Sequence, residues 1–300
     1  MVVSLIELAC LDAQVWLGTG EKAASRMRLV QSTISRNVRK VIKEFLLGSC
    51  RHSGRLWIQG DQTLLNQQRE LHQRYRWLHE LPLRLDAQYY SGPLLCNPAP
   101  AGWLLGEFDF MDVATPLQLL RDGILDAWIG VYPDTPDPHD PDLCCLHLCR
   151  YPIHLVVAQG HPLLAHDERV TLDDIKAFPS LALPDGAYPV LQQRLEALGL
   201  WNSPTRLHRY KHERWEGQTA DQVTVGYASA FTLKLFPIQQ QVLPIDLDLE
   251  AGDCLIVRRR YRDHPRLVAL LDQLQRRVAE MARSVEDLRV VPLQGTSDQA

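Results

Sequence analysis

A chain of 300 residues with a 46% hydrophobic fraction is long enough for two or three domains and too apolar to be disordered throughout. It holds no uninterrupted apolar run of about 18 residues, which argues against an ordinary membrane-spanning helix. Its seven scattered cysteines and the lack of an export signal predict reduced thiols in the cytoplasm.

The formal net charge of −4 is unevenly spread: residues 1–60 carry +5 and the rest −9. A basic module on an acidic body is expected where one part meets a polyanion. Residues 4–17 form an amphipathic helix that stops at Gly18-Thr19-Gly20, with Thr19 placed to cap a second helix. That second helix turns the small residues Ala23 and Ala24, with Met27, inward, and it breaks at 28–30. A third helix runs from Gln31 to Phe45, with a buried stripe of Ile34, Val38, Val41, Ile42 and Phe45.

The opposite face of the third helix carries Ser32, Ser35, Arg36, Arg39, Lys40 and Lys43, and the stretch from Ala23 to Lys40 holds five basic side chains and no acidic one. Two short helices with a tight turn would place the second in a major groove. Gln31 suits adenine and Arg36 suits guanine, with Ser32, Thr33 and Ser35 beside them. Arg26, Arg39, Lys40, Lys43 and, from a following β-wing at 51–55, Arg55 supply attraction to the phosphates.

These residues carry a family resemblance. Ala23-Ala24, Met27 and Gln31-Ser32-Thr33-Ile34-Ser35-Arg36 resemble, position by position, the winged helix-turn-helix of LysR-type transcriptional regulators. The resemblance implies that the polar members of the last group contact DNA. Gly20 and Val30 depart from the pattern, the first replacing a larger apolar residue and the second a Ser or Thr cap, and the wing is shortened.

From Asp61 to Leu81 the chain is free of Gly and Pro, and Leu64, Leu71 and Leu78 recur every seven residues with Tyr75 beside them. This is a heptad seam with a polar gap at Gln67-Gln68. The resemblance implies a linker helix that pairs two subunits, so that two reading helices face successive major grooves.

Beyond Pro82, strand patterns (83–89, 106–114, 126–132, 151–159, 179–184, 221–229, 253–259) alternate with helical ones (115–122, 171–178, 188–198, 265–282). Alternation predicts a parallel α/β sheet. The segments 117–130, 154–164, 171–183 and 223–229 resemble the periplasmic-binding-protein-like effector domain of the same family. Pro93, Pro98 and Pro100 forbid the long helix that the family places after its first strand. The resulting fold class is α/β: a winged helix-turn-helix (1–60), a linker helix (61–82) and a two-lobed effector domain (83–290). Lobe I takes 83–152 and 253–290, lobe II takes 153–252, and 291–300 form a tail.

Small molecules bind such folds in the cleft between lobes. By position, Ser91, Thr115 (also placed to cap its helix), Ile129, Gly130, Gly186, Gln218 and Thr219 are the candidate effector residues. "CCLHLC" at 144–149 offers soft metal ligands. On a strand, however, Cys144 faces away from Cys145, His147 and Cys149, and adjacent cysteines are not a usual ligand spacing. Buried packing cysteines are therefore expected, and neither metal nor cofactor is assigned. No Gly-x-Ser-x-Gly elbow or phosphate loop occurs, so no catalysis is expected. The expected partners are double-stranded DNA, a small effector and further copies of the chain as a dimer or tetramer, with RNA polymerase a further candidate. The alternative is a solute, redox or metal sensor that acts through protein partners without specific DNA binding.

Overall fold

The computed structural model describes residues 3–52, 55–205, 209–211, 214, 218, 221–235, 240–285 and 287–292. They fall into two compact units. The first comprises Met1–Asp86, Ala99–Glu107 and Pro116–Trp128; the second comprises Ala87–Pro98, Phe108–Thr115 and Ile129–Ala300.

In the first unit, Ser4 starts α1 (Leu5–Leu17) through a reciprocal cap: its hydroxyl accepts the Glu7 N–H and the Glu7 carboxylate accepts the Ser4 N–H. Thr19 caps α2 (Gly20–Met27) as its sequence position suggests, its Oγ1 accepting the Lys22 N–H at 3.2 Å. Arg28 ends α2 in the left-handed conformation (φ 54°). α3 (Gln31–Glu44) then begins at Val30 with no side-chain cap. Ile34, Val38 and Val41 are buried with Ala23 and Ala24, whose small size lets α2 and α3 approach closely. β1 (Gly48–His52) and β2 (Arg55–Gln59) pair antiparallel in the register Gly48↔Gln59 and form the expected wing.

α4 (Thr63–Leu78) occupies the predicted linker position, but the face it buries is its polar one. Arg69 Nε donates to Asp12 Oδ1 at 2.8 Å, with both side chains 1% exposed, and Arg84 stands 3.5 Å from the other Asp12 oxygen. Asp126, fully buried, accepts from Arg76 Nε and Nη2, Gln73 Nε2 and the Arg84 backbone N–H. Gln68, expected as a gap in the seam, lies inside and donates to the Val3 carbonyl. Leu64, Leu71 and Leu78 face outward, 65%, 55% and 74% exposed. β3 (Leu83–Ala87) is buried along its length and runs parallel to β4 (Trp103–Leu105), a strand the sequence pattern did not reveal.

In the second unit the three prolines leave only a four-residue helix, α5 (Gly92–Leu95). Arg277 holds this segment by donating to the carbonyls of Leu95 and Pro98. α6 (Ala114–Arg121) starts inside this unit, and β5 (Ala127–Tyr132) ends in it. The expected strand at 106–114 does not form. Phe108 turns to φ 53°, Asp112 caps the following helix, and only an isolated bridge from Phe110 to Arg209 remains.

Most pairing here is antiparallel, not parallel as alternation alone suggests. β6 (Leu143–His147) and β7 (Cys149–Pro152) lie end to end along one long strand, whose length lets both run antiparallel to it. After β7, the elements β8 (His154–Ala158), α7 (Leu172–Lys176), β9 (Leu181–Ala182), α8 (Pro189–Ala197), β10 (Ser203–Pro204), β11 (Gly226–Ala228), α9 (Ala230–Leu235) and β12 (Gln240–Val242) intervene before that strand, β13 (Glu250–Arg258). Gly252 sits where β13 changes partner; a Cβ there would stand 2.2 Å from the Cys149 carbonyl oxygen. β8 is the centre of a second antiparallel sheet, flanked by β11 and β12, and β9 and β10 form a short parallel pair.

α10 (Pro265–Ala282) matches the predicted span, with Pro265 at its first position and Leu267, Leu270, Leu271, Leu274 and Val278 buried on one face. β14 (Arg289–Val290) pairs with β7. From residue 293 the predicted tail lies outside the described residues.

Candidate nucleic-acid interface and effector cavity

On α3 the residues expected to meet DNA form one open face. Gln31, Ser32, Arg36, Arg39, Lys40 and Lys43 are exposed, and Thr33 and Ser35 are half-buried beside them. Because Val30 offers no side-chain cap, the first N–H groups of α3 point outward at the positive end of the helix dipole. Asn37, on the flank, donates to Cys10 Sγ and ties α3 to α1.

Three of the cations expected to meet phosphate, Arg26, Lys40 and Arg55, depart from the expectation of free, surface-placed charge. Arg26 donates to Glu107 Oε1 at 3.0 Å and to the Gly106 carbonyl, and Lys22 joins the same carboxylate. Lys40 pairs with Glu7 at 2.6 Å, and that bond, with the Ser4 cap, pulls the Glu7 carboxyl down to about 2. Arg55, the first residue of β2 and paired with His52, is buried, whereas Arg51 on β1 is exposed. Sequence charge counting treated all of these as equivalent because it cannot see their acidic neighbours.

The second unit contains a cavity of about 110 Å³. Of nine tyrosines in the chain, Tyr89, Tyr90, Tyr151, Tyr188 and Tyr227 line it, which makes aromatic packing the dominant character of its wall. Trp201 and leucines of β9 and α8 complete the wall, and Ser229 and Thr232 give it a polar edge. Among the described residues no Lys, Arg, Asp or Glu contributes to its lining. Tyr188 donates to Gln88 Oε1, Tyr151 to Asp253 Oδ2, and the Tyr227 hydroxyl accepts the Trp201 N–H. Burial pushes the Tyr227 hydroxyl up to about 12 and those of Tyr90, Tyr151 and Tyr188 well above the usual range, so all stay neutral donors.

None of the effector residues picked by position that are described lines this cavity. Ser91 is fully buried one residue beyond Tyr90, Ile129 and Gly130 are buried in β5, and Gly186 is an exposed turn at φ 72°. Thr115 is not a cap: it lies inside α6, and its N–H is taken by Asp112 Oδ1 at 2.6 Å, which already supplies a carboxylate at that helix end. Gln218 is exposed and donates to the Arg214 carbonyl; Thr219 lies outside the described residues. The tyrosines were missed because they come from four separate segments, although the pair Tyr89-Tyr90 was visible.

Asp253, beneath the cavity wall, is fully buried, and burial raises its carboxyl to about 6 against the pull of Ser91, Tyr151, Cys149 and Arg150. The folded chain therefore holds this proton more tightly than the unfolded chain does. Its contribution favours folding below about pH 4 and is lost as pH rises through about 6. Asp253→Asn keeps an acceptor for Tyr151 and should raise stability at pH 8 by on the order of 2–3 kcal/mol, with little change at pH 4. Urea unfolding of both proteins across that range measures it, and an equal difference at both pH values would contradict the assignment.

A winged helix-turn-helix joined to a two-lobed, periplasmic-binding-protein-like domain defines the class of transcriptional regulators with an effector-binding domain. The sequence model of the LysR substrate binding domain matches residues 107–279, more than half of the chain, and the chain belongs to the LysR-type transcriptional regulator family. Its structure is similar along nearly its whole length to a variant of full-length OxyR from Pseudomonas aeruginosa (TM-score 0.57, 17% identity, 99% of each chain covered). It is also similar to a mutant of full-length BenM (0.53, 16%, covering 97% of this chain and 99% of that one). Full-length CbnR in complex with its target DNA matches 92% of this chain and 100% of that one (0.52, 14%). No curated protein sequence matches the chain. Among the described residues no helix is long and apolar enough to cross a membrane.

Proposed function

We propose that the protein is a cytoplasmic, sequence-specific DNA-binding regulator, not an enzyme, that works as a homodimer or tetramer and responds to a small molecule. The observation that carries this reading is the open, predominantly basic face of α3, where Gln31, Ser32, Arg36, Arg39 and Lys43 stand exposed beside an uncapped helix N-terminus. Gln31 and Arg36 would contact base edges, Ser32, Thr33 and Ser35 would anchor them, and Arg39, Lys40 and Lys43 would hold phosphates. Arg26 would join them only by leaving Glu107, and Arg51 replaces Arg55 as the wing cation.

The effector would occupy the tyrosine-lined cavity. A wall without charged side chains suits a small, neutral, largely apolar molecule whose ring stacks on tyrosine and whose polar atom meets Ser229 or Thr232. Such a ligand would favour one arrangement of the binding domain over another and so change the spacing of the reading helices.

Selection of duplexes from a random library by the purified chain tests the reading. The expected product is an imperfect dyad with half-sites roughly 10 base pairs apart. Arg36→Ala should then lose about 1–3 kcal/mol of discrimination at one base pair of each half-site. An equal loss on every sequence would assign Arg36 to phosphate. No retention even at low salt would favour a sensor that acts through protein partners.

A further inference from the structure

One side-chain cluster lies apart from both the reading helix and the aromatic cavity. β6 and β13 pair antiparallel with His147 opposite Cys254 and Cys145 opposite Ile256. Directly paired residues point to the same face, and positions two apart on a strand share a face. Cys145, His147 and Cys254 therefore converge on one side of the sheet, and their ligand atoms all lie within 4.8 Å of one another. A point exists within about 2.8 Å of all three, against metal–sulfur and metal–nitrogen bonds of roughly 2.3 and 2.0 Å, so closure needs only side-chain rotation.

We propose that Cys145, His147 and Cys254 form a binding site for one thiophilic metal ion, and that the ion is monovalent copper. Two thiolates and an imidazole are soft donors that select Cu(I) or zinc over harder cations. Among the described residues no fourth ligand joins the group, whereas structural zinc calls for four. Charge decides in the same direction. Two thiolates around a monovalent ion leave one negative charge, and Arg150 stands beside it, with Nη2 2.9 Å from His147 Nδ1 and its guanidinium 4.0 Å over the Tyr132 ring. Around a divalent ion the same donors would be neutral and would leave Arg150 with Glu250 as its counter-charge and none from the site.

If Nδ1 is the ligating atom, the ion takes over the lone pair that Arg150 now engages, while Arg150 keeps its stack on Tyr132 and its contact with Glu250. Cys254 is fully buried and Cys145 and His147 half-buried, so the ion would be shielded yet reachable from one side. Cys149, which the local spacing groups with Cys145 and His147, is turned toward Asp253 and takes no part.

The test is anaerobic titration of the full-length chain with Cu(I) against bicinchoninate, a chromophoric competitor. The wild type should withdraw one equivalent of copper. Cys145→Ser, His147→Gln and Cys254→Ser should each hold it at least tenfold more weakly, while Cys50→Ser, at an exposed cysteine elsewhere, should match the wild type. X-ray absorption at the copper edge should show two sulfurs and one nitrogen. Since Cys254 is in the core, Cys145→Ser and His147→Gln carry the comparison if circular dichroism shows that Cys254→Ser does not fold. Equal withdrawal by the wild type and these variants, no withdrawal by folded wild type, or tighter capture of zinc than of copper would each overturn the proposal.

Discussion

Asp126→Ala should destabilise the protein by about 3–5 kcal/mol, the usual cost of removing one partner from a buried ion pair. The carboxylate accepts four hydrogen bonds, three from side-chain nitrogens of Gln73 and Arg76 and one from the backbone of Arg84. Its loss strands the buried Arg76 guanidinium, which keeps only the Gly123 carbonyl among these partners. Asp126→Asn should cost less, because the amide oxygen still accepts some of these bonds while the charge is lost. Urea denaturation of the three proteins measures the series. A shift below about 1 kcal/mol for the alanine variant would mean that water reaches the site and the ion pair is not buried in solution.

Leu71→Asp should leave the single chain folded yet split the proposed dimer. Leu71 sits between Leu64 and Leu78 on the outward face of α4, so in one copy the change replaces an exposed leucine and leaves the core untouched. In a paired linker helix it would bury a carboxylate at the centre of the seam. Sedimentation should then show monomers for the variant and dimers for the wild type. Affinity for a two-half-site duplex should fall by about 10²–10⁴-fold, because the second reading helix is no longer tethered to the first. A dimer that persists would place the subunit contact elsewhere and leave the leucine face without a role in pairing.

The two experiments probe opposite faces of the same helix, and only one of those faces was legible beforehand. The seven-residue recurrence of Leu64, Leu71 and Leu78 is a local pattern, and so is the polar stripe Gln68, Arg69, Gln73 and Arg76 on the other side. Polarity alone sends that stripe to solvent. It is buried because Asp12 and Asp126, from distant segments, meet its arginines with matched charge. A sequence shows a charged residue but not the counter-ion that makes its burial tolerable.

What the sequence determined by itself is what short range controls. The cap at Thr19, the apolar stripe of α3, the proline-broken segment at 93–100 and the bounds of α10 depend on neighbours within a turn or two, and all appear where the pattern placed them. The family likeness rests on the same local motifs. Tertiary structure alone decided which cations remain free on the reading face, how five tyrosines from scattered segments surround one cavity, and that Cys254 stands opposite His147. Each of these is set by strand register or helix packing between residues far apart in the chain, and such pairings leave no periodicity for a linear pattern to carry.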